Sequence, residues 1–290
     1  MATKDKNSVQ EIKIKTINIE LFQEFLTRLI NFDDNVYIKL DSEDTTSSVN
    51  LPTSGAAKMT TVKTADLFEF EEPLTEEFRI SFHNIRAIIS DLSSYIGTET
   101  TASFEYSVFR GKNNVVRFIV KNSSERSNLF CIDPNMSFSW MEKSSANDKF
   151  STATVEEKEQ KLIGTVKLDF ETISKIKSKI GLNKVETKFV LKFVGTKVFV
   201  STQNKEILVS EEAQNNFEDV SMITLQKRML TYLDKENYLL NVCTNKVVFE
   251  STISDTKIAI PTVASNDLID EIDEDDFTED FSELIEIDLD

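Results

Sequence analysis

Histidine is all but missing from this chain of 290 residues, with His83 the only one. A Ser-His-Asp or Cys-His nucleophile therefore has a single candidate base, and a multi-histidine metal site has none. Cysteine is nearly as scarce. Cys131 and Cys243 stand 112 residues apart with no CxxC pair, which excludes a disulfide framework and a zinc finger and fits a reducing compartment. No GxxxxGKS/T or GxGxxG segment occurs, so nucleotide hydrolysis lacks its usual loop. Apolar runs fall far short of the ~18 residues a membrane helix needs, and the opening MATKDKNSVQ has no apolar signal core. These absences predict a cytoplasmic protein with no membrane span, no metal and no cofactor, and they argue against hydrolase chemistry.

What is present is an apolar content of 40%, enough to fill one large core or two ordinary ones. The formal charge is -17, but it is unevenly spread. Residues 266–290 hold 13 of the 50 acids and no base, which leaves residues 1–265 with 33 bases against 37 acids, a net of -4. The acidity belongs to the tail and says little about what the folded body binds.

Apolar spacing predicts four helices among many short strands, beginning near Asn18, His83, Phe170 and Met222. Helix one carries Phe22, Phe25, Leu26 and Leu29 on one stripe, and helix two carries Ile85, Ile88, Ile89, Leu92 and Ile96. Helix three, with Asp169 as N-cap, buries Ile173, Ile176 and Ile180; helix four buries Met222, Leu225, Met229 and Leu233. Runs such as EIKIKTI, NVYIKL, EFRISF, TASFEYSVF, NVVRFIV, LIGTVKL and KVVFES are rich in Val, Ile, Phe, Tyr and Thr and read as strands. Four of the six glycines repeat one spacing: Gly97 and Gly111, then Gly181 and Gly195, each pair 14 apart. The first of each pair closes a helix and the second turns a hairpin. The plan is four strand-helix-strands units, two per half: a first domain over residues 1–141, a polar connector over 142–159, a second domain over 160–264, and an acidic tail over 265–290 that stays unfolded alone.

This layout resembles the DNA sliding clamps, the ring-shaped polymerase processivity factors of the proliferating-cell-nuclear-antigen and tailed-phage type, over about residues 10–263. TINIELFQEFLTRLINFDDNVYIKL carries unit one and FRISFHNIRAIISDLSSYIGTETTASFEY unit two. VKLDFETISKIKSKIGLNKVETKFVLKFVGTKVFVSTQNKEILV carries unit three, and MITLQKRMLTYLDKENYLLNVCTNKVVFES is similar to unit four. The phage type is the closer match, on LDFETISKIKSKIGL and the two glycine-linked strands after it. The resemblance implies an α+β fold of two similar domains, each of two β-α-β-β-β units, with sheets outside and helices lining a ring. It further implies a non-enzymatic homotrimer that encircles double-stranded DNA without reading sequence, tethers a DNA polymerase and is installed by a clamp loader. A viral source, and hence the cytoplasm of an infected host cell, is expected on the same ground.

Such a ring faces DNA with the helix surfaces opposite the core. At about 100° per residue, Lys175 and Lys179 point away from the isoleucine stripe of helix three, with Lys177 at its edge. Lys227 and Arg228 flank the outward face of helix four, Arg86 lies outward on helix two, and Arg28 sits at the side of helix one. Against these seven cations stand Glu20, Glu24, Asp91 and Glu171. A solvated helix face explains any one of them; together, at matched positions, they suggest phosphate contact without base readout. Helix one departs from the pattern, with Glu20 and Glu24 outward.

His83 lacks a neighbouring nucleophile and orienting carboxylate and reads as structural. Trp140, between Phe138 and Met141, leads into the connector near the expected partner pocket, although anchoring the end of the first domain is the favoured reading of it. In the tail, Phe277, Phe281, Leu284 and Ile285 recur at helical spacing among acids, the pattern of a segment that orders against an apolar groove. Two rival readings stand beside the clamp: an acidic viral structural or assembly protein with no DNA role, and a carboxylate-dependent nuclease or glycosidase.

Overall fold

The computed structural model describes residues 9–51, 54–133, 148–153, 160–181, 187–202, 205–215 and 221–263. Within them the repeat resolves into four consecutive units, each a strand, a helical segment and three more strands. Unit one is β1 (Gln10–Ile17), α1 (Ile19–Thr27), β2 (Val36–Leu40), β3 (Asp44–Asn50) and β4 (Ala57–Lys63). A short α2 (Thr64–Leu67) and β5 (Phe68–Phe70) lead to unit two: β6 (Phe78–Phe82), α3 (Ile85–Leu92), β7 (Thr101–Phe109), β8 (Lys112–Lys121) and β9 (Arg126–Phe130). Unit three is β10 (Leu162–Leu168), α4 (Phe170–Gly181), β11 (Lys188–Val194), β12 (Lys197–Thr202) and β13 (Lys205–Ser210), followed by β14 (Gln214–Asn215). Unit four is β15 (Ser221–Gln226), a 3-10 helix over Lys227–Tyr232, β16 (Tyr238–Cys243), β17 (Lys246–Ser251) and β18 (Asp255–Pro261).

Three of the α-helices, α1, α3 and α4, start where the sequence places a short polar side chain that can accept from an orphan backbone N–H. Asn18 Oδ1 accepts from Leu21 N at 3.1 Å and Asn84 Oδ1 from Ala87 N at 3.3 Å. Asp169 Oδ1 accepts from Thr172 N at 2.7 Å, and this bond holds its carboxyl below the usual carboxylate range. The apolar stripes are buried at Phe22, Phe25, Leu26 and Leu29 on the first helix, at Ile85, Ile88 and Leu92 on the second, and at Ile173, Ile176 and Ile180 on the third; on the second stripe Ile89 is only half-buried and Ile96, past the helix end, is 43% exposed.

The expected fourth helix is not one. Met222 to Gln226 are strand, with Ile223 opposite Leu191 and Leu225 opposite Phe189 on β11. Met222 is 65% exposed, while Met229 and Leu233 are buried. The run MITLQKRML satisfies both apolar periods at once, 3.6 through Met222, Leu225 and Met229 and 2 through Ile223 and Leu225. The ladder to β11 decides for strand, and Gln226 offers no side-chain cap at the following 3-10 turn.

First strands are exchanged between the units of each half. In the first half β1 pairs with β7 (Ile14↔Ala102) and β6 with β2 (Ile38↔Ile80). In the second, β10 pairs with β16 (Val166↔Leu240) and β15 with β11 (Leu191↔Ile223). Antiparallel pairing of β18 with β4 (Thr256↔Thr60) joins the halves into one 14-stranded sheet. The halves differ at one place. β6 also pairs in parallel with β8, whereas β15, β11, β12 and β13 form a separate 4-stranded sheet.

Three of the four patterned glycines, Gly97, Gly111 and Gly195, have positive φ, the region where a Cβ is costly; the fourth, Gly181, is the last residue of α4. Gly164, outside the 14-residue pattern, is constrained by space instead. A Cβ there would lie 2.6 Å from Gln214 O and 2.9 Å from Phe193 Cε1. Gly164→Ala is therefore expected to lower folding stability by about 1–3 kcal/mol through overpacking. Urea unfolding measures it, and an unchanged midpoint would show that β14 gives way without cost.

Candidate nucleic-acid interface

The helical segments pack in two pairs. Gln23 of α1 donates through Nε2 to Ile89 O at 2.7 Å and to Ser93 Oγ at 2.9 Å beside α3. In the second half, Lys177 Nζ donates to Leu233 O at 2.8 Å, tying α4 to the end of the 3-10 helix. Burial lowers the pKa of this ammonium; nearby Asp234 opposes the shift and Lys235 adds to it.

The seven cations singled out in the sequence divide by what holds them. Lys175, Lys179 and Arg228 are exposed, and among the described residues no ion pair engages them. Lys177 is half-buried and committed to Leu233; Lys227 is half-buried at the start of the 3-10 helix. Arg86 is exposed, yet its guanidinium meets Asp34 Oδ1 at 3.2 Å and Ile30 O at 3.2 Å. The Arg28 side chain is only 16% exposed, with Nε 3.3 Å from Glu236 Oε1 and Nη2 3.9 Å from Glu24. The free positive charge is thus concentrated on the α4 side, whereas α1 shows Glu20 and Glu24 to solvent. Sequence reasoning missed Lys235, an exposed cation whose charge reaches Lys177; it lies in the loop after the 3-10 helix, where no helical period signals it.

That loop also locks the two halves together. Lys58 of β4 is completely buried, with Nζ 2.7 Å from Asp234 Oδ2 and 3.4 Å from Tyr232 O. Burial pulls the lysine's pKa down and pushes the Asp234 carboxyl up, each against the attraction of the other. The rings of Phe32 and Tyr232 lie 4.6 Å apart, and Arg28 reaches across to Glu236. Glu236 Oε2 also accepts from Ser251 Oγ and, at 2.7 Å, from Ser254 Oγ. Burial opposes ionisation of Glu236, but those hydroxyls and Arg28 outweigh it and hold its pKa below the ordinary value. A depressed carboxylate pKa contributes stability that is present above the unfolded value of ~4.3 and is lost as pH falls through the folded one. Glu236→Gln is expected to cost about 1–2 kcal/mol at pH 7, with the gap to the parent chain closing as pH drops below ~4. Unfolding curves at the two pH values check this; a gap that widens in acid would reverse the assignment.

His83 is exposed and its Nδ1 meets Asn35 Oδ1, a pairing across a loop with no nucleophile attached. Burial raises the Cys131 thiol to about 12, which leaves it inert. Among the described residues no group of three or more His, Cys, Asp or Glu is placed to hold a metal ion, and no helix is long and apolar enough to cross a membrane. Trp140, Phe277, Phe281 and Leu284 lie outside the described residues.

Solved structures share this fold over most of the chain. The proliferating cell nuclear antigen (PCNA) of Entamoeba histolytica matches with a TM-score of 0.63 at 10% identity, over 89% of this chain and 100% of its own. The chain has the sliding-clamp fold. The PCNA of A. fulgidus, solved with the C-terminal region of FEN-1 bound, gives a TM-score of 0.58 at 14% identity over 88% of this chain and 99% of its own. A PCNA2-PCNA3 complex from Sulfolobus tokodaii gives 0.55 at 11% over 87% and 99%. No family model and no curated protein matches the sequence itself. The expected α+β sliding-clamp architecture is borne out, with a 3-10 turn replacing its fourth helix.

Proposed function

We propose that this chain is a sliding clamp: copies of it close head to tail into a ring around duplex DNA, where a clamp loader installs it and it tethers a DNA polymerase without doing chemistry itself. The observation that carries the reading is the shared fold over nearly the whole chain, with the exchanged first strands present in both halves. Lys175, Lys179 and Arg228, joined by Lys235, supply the phosphate-facing charge. Such contacts position a duplex without selecting its sequence and leave it free to slide.

Head-to-tail closure needs two complementary edges. Among the described residues β9 pairs only with β8 and β13 only with β12. Each edge exposes an apolar side chain, Phe130 at 68% and Leu208 at 41%. Pairing β9 of one copy with β13 of the next would cover both and remove two aggregation-prone edges. The glycine-linked strands lie one position further in; the strand that follows each pair carries the edge. In a ring of three, six halves surround the duplex.

The test has two parts. Light scattering at tens of micromolar should give a mass near three times 33.1 kDa. Protein loaded on nicked circular DNA should stay bound through a salt wash and be released once the circle is cut. Equal loss from intact and cut circles would overturn topological retention.

A further inference from the structure

Val263, the last of the described residues, is tied to the second half by its backbone. Its N–H donates to Thr224 O at 3.0 Å, an isolated antiparallel bridge beyond the end of β18. The other edge of β15 is taken by β11, with Thr224 opposite Val190, so the chain leaves the fold along the edge of β15 that faces away from β11. Arg228 lies 4 residues after Thr224, no more than about 14 Å away. The 3-10 helix that carries Arg228 is tied to α4 by the bond from Lys177 to Leu233, and α4, with 12 residues, is about 18 Å long. Lys175, Lys179, Arg228 and Lys235 are exposed on these two helices and the loop after them, and no ion pair engages them among the described residues. Lys175 and Lys179 stand one turn apart on one face, a like-charged pair that repels itself until an anion meets it.

We propose that the chain's own C-terminal acids dock on this cation face and hold it until DNA displaces them, an inference that rests on reading the face as the one that contacts phosphates. The segment has the matching charge. Residues 266–290 carry 13 acids and no base, and residues 267–276 hold 7 of the acids. It also has the reach: Asp267 follows Val263 by 4 residues and Asp276 by 13, which allows up to about 13 and 43 Å. A tether this short keeps the carboxylates at high local concentration beside the lysines. A duplex has to displace those carboxylates to reach α4, so a copy that has not closed around DNA captures it weakly.

Carbodiimide joins a carboxylate to an amine in contact with it and adds no spacer, so it reads the docking in the full chain without DNA. Lys188 and Lys192 provide the reference. They stand beside β15 too, opposite Gln226 and Met222, but alternate with the buried Phe189, Leu191 and Phe193 and so lie on the face away from the core. Links from residues 267–276 to Lys175, Lys179 and Lys235 are expected to exceed those to Lys188 and Lys192 at least about fivefold at low salt, and to lose that excess in about 1 M salt, where screening acts within about 3 Å. Arg228→Gln removes a charge and no reactive amine, and should lower the yield at all three lysines. Equal yields on the two faces overturn the proposal, because a tether alone then explains them. In a mixture of ¹⁴N and ¹⁵N chains the links should join peptides of one isotope; mixed pairs overturn docking within one chain. Asp273→Asn, Glu274→Gln, Asp275→Asn and Asp276→Asn together in the full chain should tighten binding of linear duplex at least about tenfold at low salt. Links without that gain overturn the competition with DNA. Absence of duplex binding in both forms counts against the proposed function, while the links still decide the docking.

Discussion

Asp234→Ala is expected to cost about 3–5 kcal/mol of folding stability. The reason is what it leaves behind. Lys58 is completely buried, and without the carboxylate its ammonium retains one carbonyl, Tyr232 O at 3.4 Å. That is too little to replace the water it gave up. Removing both charges is a milder change: Lys58→Met with Asp234→Leu is expected to recover most of the loss, since an apolar pair of similar volume carries no desolvation cost. A double-mutant cycle read by urea unfolding checks both statements. A loss below ~1 kcal/mol for Asp234→Ala would mean that water reaches Lys58.

Lys175→Glu with Lys179→Glu should leave the melting curve within ~0.5 kcal/mol of the parent and weaken DNA binding by at least about tenfold at low salt. Both side chains are exposed one helical turn apart on α4 and engage no ion pair among the described residues, so the change removes phosphate attraction without touching packing. The log-log salt dependence should flatten by about 2 for each subunit in contact, one for each neutralised phosphate lost. Arg28→Gln provides the contrast. Its guanidinium is already held by Glu236, so it should lower stability and leave the salt dependence alone. An unchanged slope for the lysine pair would take α4 off the DNA face.

How far the sequence announced this molecule can be judged from particular residues. The three α-helices were legible because their stripes have one period and their caps are local: Asn18, Asn84 and Asp169 each act within three residues. Met222 to Leu233 misled because its residues fit two periods and the choice is made by β11, a partner more than thirty residues away. Strands β3 and β4 were passed over because their runs, DTTSSVN and AKMTTVK, are rich in threonine, serine and lysine rather than large apolar residues. At the candidate site, helical geometry placed Lys175 and Lys179 outward. It could not show that Arg28 is spent on Glu236, because that bond joins positions 208 residues apart. The buried Lys58 has no sequence signal at all; a lysine in an alternating strand reads as solvent-facing until its partner is known.

The exchange of first strands bears on how the chain is made. β1 emerges from the ribosome 88 residues before Ala102, which pairs with Ile14. During that interval β1 can pair with β5 (Ile14↔Phe70, Ile17↔Phe68) on one side, but its edge toward β7 has no partner. A growing chain that has reached only Tyr95 therefore holds an unpaired apolar edge, and the first half can close only after β7 and β8 have followed. The seam between β4 and β18 can form only after β9 and β13 have been synthesised, so those two open edges exist before the body that orients them is locked. The order in which residues leave the ribosome thus favours cellular chaperones that shield β1 early and postpone contact between copies until Pro261 is in place.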